Sequence, residues 1–231
     1  MNNQKKGNAA IVGVIAVVVG LLVGYMVAGA MKGKAPEAAM EKTPTAATAT
    51  GETKGASDLR VLLNGLDKQH VDLAAAATRA GFDGNKDFEA ASGALLKNSD
   101  DITAAVSSVY GEENGAKFKE IWNSHITFFV NYTVAAKKGD KAGMAKAEKD
   151  LGGYIEAISD FLSKANPNLP REALVQLFTK HVTLLKAAVD AHGAGNYAES
   201  YAKQGEAYRQ VGEIADGLSG AIVKQFPDKF N

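Results

Sequence analysis

The chain has 231 residues, 26 basic and 26 acidic side chains, and no cysteine; the length accommodates one or two domains. With no thiol, a disulfide framework and a thiolate metal or redox site are excluded, and the even charge excludes a general nucleic-acid binder, which needs a basic surplus to displace counterions. About 40 residues are alanine and only 7% are aromatic, a composition that favours helices packed closely through small faces.

Residues 9–31 are apolar apart from glycines and Tyr25. At 1.5 Å per residue this run spans about 34 Å, enough to cross a hydrocarbon core of roughly 30 Å. Lys5 and Lys6 precede it, as the cytoplasmic flank of a signal-anchor requires. The expectation is a single membrane-spanning helix with everything after it extracytoplasmic. Ala28-Gly29-Ala30 offers an alternative, cleavage near Ala30 and secretion. Gly20 and Gly24 form a GxxxG pair, a spacing that lets membrane helices approach closely, though glycine is common in membrane spans. Residues 32–57 shift to Ala, Thr, Lys, Glu, Gly and Pro, with Met40 the one large apolar side chain. Such a segment buries too little surface to offset its ordering entropy and reads as a flexible linker. The domain organisation is therefore 1–31 anchor or signal peptide, 32–57 linker and 58–231 folded domain. The last of these carries 20 basic and 23 acidic residues.

The folded domain repeats itself. Leu66-x-x-x-His70-Val71-x-Leu73, Ile121-x-x-x-His125-Ile126-x-Phe128 and Leu177-x-x-x-His181-Val182-x-Leu184 align with the histidines 55 and 56 residues apart. Fourteen residues after each histidine comes a turn signal: Gly84-Asn85, Gly139-Asp140 and Gly195-Asn196. Glycine accepts the left-handed conformation that ends a helix, and Asn or Asp caps the next one. Each copy reads as helix, tight turn, helix, and the shared period is the strongest signal in the chain.

Breaks at 109–114 and at Asn166-Pro167-Asn168-Leu169-Pro170 separate the copies, with Pro170 and Glu172 suited to a first helical turn. Phe118, Ile121, Trp122, His125, Phe128, Phe129 and Tyr132 recur in steps of three and four, and Ile214, Leu218, Ala221, Ile222 and Phe226 share a face before Pro227. The fold class expected is all-α, an up-and-down bundle of about six helices over 58–225 built from three repeated hairpins, with an added N-terminal transmembrane helix. Short turns make neighbours antiparallel. The three histidines then lie on parallel helices at similar heights.

His70, His125 and His181 are the candidate metal ligands, because imidazole binds copper and zinc and each sits between apolar residues on the inward stripe. Three hydrogen-bonded structural histidines copied by duplication explain the same pattern. His192, outside the repeat, is expected at the surface. A di-iron bundle needs Glu-x-x-His pairs, and no histidine here has glutamate three residues before it. Asp100 and Asp101 are adjacent and point to diverging, solvated sides of a helix. No phosphate loop, nucleophile elbow or HExxH occurs. The functional expectation is a non-enzymatic, membrane-tethered, extracytoplasmic binding or interaction module contacting a protein or cell-envelope partner. The alternative is a copper-, zinc- or haem-binding module using the repeated histidines.

Ser108-Val109-Tyr110-Gly111, the run from Ile121-Trp122 to Tyr132-Thr133, Ala165-Asn166-Pro167-Asn168-Leu169-Pro170 and Gln225-Phe226-Pro227-Asp228-Lys229-Phe230 resemble a helical domain of bacterial secreted and surface proteins. Its members are often labelled "copper amine oxidase" without an established activity for the domain. The resemblance implies a helical, extracytoplasmic domain. The label fails on residues: the sequence contains no His-x-His, which that enzyme's copper site needs, and Thr133 follows Asn131-Tyr132. Relatives carry a His-Met pair near the last helix, where this chain reads Arg209-Gln210-Val211.

Overall fold

A computed structural model describes residues 52–231. The anchor expected at 9–31, its GxxxG pair and most of the linker lie outside the described residues. No helix among the described residues is long and apolar enough to cross a membrane.

Six helices follow one another: α1 (Lys54–Asp83), α2 (Phe88–Tyr110), α3 (Glu112–Lys138), α4 (Lys141–Ala165), α5 (Arg171–Gly193) and α6 (Tyr197–Gln225), with a final 3-10 turn at Pro227–Lys229. They pack as an antiparallel, up-and-down bundle. α1 starts four residues before the expected domain boundary, because the Thr53 side chain caps it by accepting from the Ala56 amide. Gly84, Gly139 and Gly195 occupy the left-handed region at φ 75°, 66° and 76°. Asp140 and Asn196 cap the helices that follow, accepting from Gly143 N and Glu199 N. The first turn departs from this pattern. It runs two residues further, and Asp87 rather than Asn85 precedes α2, with no side-chain cap.

Each helix packs against its neighbours in sequence, and α6 returns to α1. The odd helices also touch one another: α1 meets α3 and α5, and α3 meets α5. The histidine-bearing helices thus form an inner triangle, with the even helices outside. The core threads through them, with Trp122, Tyr132, Leu151, Ile158, Phe178 and Ile214 all buried. The aromatic stripe of α3 is core, as its spacing indicated.

One end of the bundle is locked by a polar network. The Tyr110 hydroxyl donates to Gln225 Oε1 (3.1 Å) and accepts from Asn166 Nδ2 (3.0 Å). Gln225 Nε2 donates to the Ala165 carbonyl (2.9 Å), and Asn166 Oδ1 accepts from the Asn168 amide (2.9 Å). Asn166 is fully buried. The motifs around Tyr110, Asn166 and Gln225 are distant in sequence and meet here to satisfy helix ends that would otherwise leave orphan carbonyls.

Two glycines with open space around them separate backbone strain from packing. At Gly139 (φ +66°) an added Cβ meets nothing within 4 Å, as at Gly152 inside α4. Gly139→Val is expected to lower stability by about 1–2 kcal/mol through the left-handed backbone alone. Gly152→Ala should raise it by roughly 0.5–1 kcal/mol through helix entropy. Urea unfolding followed by circular dichroism checks both; a stabilised Gly139→Val protein would mean the turn is misplaced.

Candidate functional site: a buried histidine cluster

His70, His125 and His181 project inward from α1, α3 and α5, and all three are buried. Two of them meet: His70 Nε2 and His125 Nε2 are 3.3 Å apart. His181 lines the same two cavities as the pair. Among the described residues, however, no group of three or more His, Cys, Asp or Glu side chains is gathered so as to hold a metal ion.

The outer nitrogens of the pair are committed. His125 Nδ1 bonds the Trp122 carbonyl, an acceptor, so this nitrogen carries the proton. His70 Nδ1 faces Asn98 Oδ1 at 3.3 Å. The Asn98 amide is oriented by its own nitrogen, which donates to the Leu66 carbonyl and to Gln69 Oε1, each at 3.0 Å. Its oxygen is therefore left to accept from His70 Nδ1. With both protons on Nδ1, the two Nε2 atoms turn lone pairs toward each other.

Burial keeps these rings uncharged. It pushes His70 down to about 3, with His181 nearby adding to the shift, and His181 itself down to about 4. His125 is lowered well below the usual imidazole range by burial and by its two imidazole neighbours. Aromatic rings flank them. Trp122 lies 5.0 Å from His70, centroid to centroid, and Tyr154 stacks on His125 at 4.7 Å. Trp122 is itself held by its Nε1–H bond to Ser99 Oγ (3.2 Å).

His181 has looser support. Gln210, only 1% exposed, lies against it on α6, and its Nε2 donates to the Leu177 carbonyl. His181 Nδ1 and Gln210 Oε1 are both buried without a hydrogen-bond partner. Of Arg209-Gln210-Val211, Gln210 and Val211 are buried and Arg209 is exposed.

Asp67 completes the cluster and was overlooked in the sequence. It lines a cavity of about 70 Å³ together with all three histidines, and burial raises its carboxyl to about 7. The sequence carries the signal as Asp67-x-x-His70, an i, i+3 spacing that puts both on one helical face; the Glu-x-x-His pattern does not register aspartate at that offset. His192 corrects the expectation of exposure. It is 9% exposed, its Nε2 lies 2.8 Å from Asp83 Oδ1, and Phe82 and Tyr197 present ring edges to it. The end of α1 covers it.

A second, larger cavity of about 540 Å³ approaches the cluster from the other side, between α1, α2 and α3. Ala74, Ala77, Ala80 and Gly81 of α1 face Leu95 of α2 and Phe129 of α3 across it, and His70, His125 and His181 contribute to its wall. Half-exposed Leu96 and Val134, with Phe88, stand at its margin. The small face of α1 was expected to draw helices into close contact. Against α2 it does so in part: Ala74 and Ala77 pack on Leu95 and the Phe88 ring lies over Gly81, while the remaining space forms the cavity.

No family model, curated protein or solved structure matches the chain.

The buried titratable groups set a pH dependence. The histidines have folded pKa values below the unfolded 6.5, so their contribution to stability is complete above 6.5 and is lost as pH falls below it, through about 4 for His181 and about 3 for His70. Asp67, raised from 3.8 to about 7, works in the opposite direction: its contribution is present below 3.8 and is lost as pH rises through 7. Near pH 5 the unfolded chain binds about two more protons than the folded one at these four sites. Stability should therefore climb by about 2–3 kcal/mol per pH unit between pH 4.5 and 6 and level off near 6.5. Urea titrations with a chelator present check this, and His125→Gln should reduce the slope by about 1.4 kcal/mol per unit.

Proposed function

We propose that the protein is a non-enzymatic binding module, tethered to a membrane by residues 9–31, with the bundle held outside the cytoplasm on the 32–57 linker. Its ligand is a small apolar component of the cell envelope, taken into the cavity between α1, α2 and α3. In this reading the three hairpins are copies of one unit, and the chain belongs with the bacterial secreted and surface proteins that its motifs resemble.

The observation that carries the proposal is the 540 Å³ cavity, whose exposed wall is mostly apolar and which is reached at Phe88, Leu96 and Val134. Small-molecule sites are concave, occupy about 300–1,000 Å³ and add a few polar groups to an apolar lining. The imidazoles at its inner wall supply those groups. Burial pushes His70 down to about 3 and His181 to about 4 and lowers His125 well below the usual imidazole range, far from neutral pH, where a general acid or base is best placed. Asp67, whose carboxyl does titrate near 7, lines the smaller cavity and not this one. The arrangement suits recognition more than proton transfer.

The compact unit Ala49–Asn231 should bind an apolar fluorophore such as anilinonaphthalene sulfonate with saturable 1:1 stoichiometry. Ala77→Phe, which fills the cavity from α1, should weaken binding by about tenfold or more while keeping the helical spectrum, a loss of at least about 1.4 kcal/mol. Equal affinity in the two proteins would overturn the cavity as the site. Protease added to intact cells should remove the bundle; its protection would overturn the extracytoplasmic placement.

A further inference from the structure

We infer that His70 and His125 chelate one borderline divalent metal ion, zinc or a neighbour in the first transition row, between their facing Nε2 atoms.

The separation of these atoms matches such an ion. For a metal at the usual zinc–imidazole distance of 2.0–2.1 Å, two donors 3.3 Å apart subtend about 104–111° at the metal. The tetrahedral angle lies inside that interval. A linear two-coordinate ion would need the nitrogens about 4 Å apart at these bond lengths. The pair as folded already forms one edge of a tetrahedron.

Protonation points the same way. Each ring gives its Nδ1 proton to a fixed acceptor, the Trp122 carbonyl for His125 and Asn98 Oδ1 for His70. This arrangement is the one that metal-ligating histidines use, the outer N–H oriented by a carbonyl so that the inner nitrogen is free to coordinate. Without a cation the two lone pairs confront each other in an apolar setting, where electrostatic repulsion is poorly screened. A Lewis acid resolves the conflict.

The surroundings provide the rest of a coordination sphere. The 70 Å³ cavity touches both rings and has room for several water molecules, each needing roughly 10–15 Å³. His181 lines that cavity, and its Nδ1 lacks a partner; it offers a hydrogen bond to a metal-bound water. Asp67 in the same cavity contributes a carboxylate to offset a buried divalent charge. The 540 Å³ cavity reaches both rings from the margin of the bundle and gives the ion a path in. The ion shares the His70 and His125 rings with the wall of the apolar cavity proposed above, but its binding is read by zinc and cobalt titration, so either proposal can fail without the other.

The test uses the full chain in detergent at pH 8, freed of metal by chelator and dialysis. Zinc is titrated by calorimetry, and cobalt(II) by visible absorption. The expected result is one zinc per chain, and cobalt bands with the high intensity of four-coordinate geometry. His70→Gln and His125→Gln should each weaken zinc binding by about 100-fold or more, and His192→Gln, at the remote Asp83 contact, should leave it unchanged. Circular dichroism identifies a variant that fails to fold, in which case the other ligand variant decides. As a measurement that needs no variant, saturating zinc should raise the melting temperature of the native chain and chelator should reverse it. Absence of stoichiometric binding to the native chain overturns the inference. So does zinc binding that survives in both ligand variants, or weak six-coordinate cobalt bands.

Discussion

A column of flat rings ties the bundle together. Phe118 stacks on Trp122 within α3, Trp122 meets His70 of α1, His125 stacks on Tyr154 of α4, and Tyr154 meets Phe178 of α5 edge-on. Four of the six helices share this contact. Aromatic side chains carry the largest apolar area per residue, and their preferred geometries fix both distance and rotation. In a chain so rich in alanine, this column does much of the work that larger aliphatic residues do elsewhere. It also dictates where the imidazoles go, since His70 and His125 are members of the stack rather than additions to it.

That placement has a chemical consequence. A histidine in an aromatic stack loses its water, and the neutral form is then strongly favoured. The neutral ring must still satisfy one N–H, and Asn98 and the Trp122 carbonyl meet that need. Structural packing alone would be served by any arrangement that paired the remaining nitrogens with donors. Here they face each other, and His181 Nδ1 and Gln210 Oε1 also stand unpaired close by. Buried polar atoms without partners are costly and uncommon in folded proteins. The imidazoles of His70, His125 and His181 all line one small cavity.

The two ends of the bundle are constructed differently. At one, Tyr110, Asn166 and Gln225 lock three segments with side-chain hydrogen bonds. Toward the other, α1 presents alanines and α2 begins after a longer turn without a side-chain cap, and the space between α1, α2 and α3 stays open. A satisfied polar network rigidifies one end, whereas the small-residue face of α1 borders a cavity at the other.

Periodicity and turn chemistry in the sequence determined the six helices, their antiparallel order and the left-handed glycines at 84, 139 and 195. These signals act over a few residues and need no partner to be read. They also put the three repeated histidines on parallel helices at similar heights. The tertiary structure alone decided that the odd helices form the inner triangle, which brings two imidazole nitrogens to 3.3 Å while the third remains apart. Rotation of one helix against another depends on side chains far apart in the chain, and no local pattern encodes it. The same reason governs His192, covered by a segment 109 residues earlier, and Asp67, whose spacing from His70 was legible but whose burial was not. It governs the cavity as well. Alanine in a sequence states only that a side chain is small; whether a neighbour moves in or a space is left depends on what the facing helix can reach.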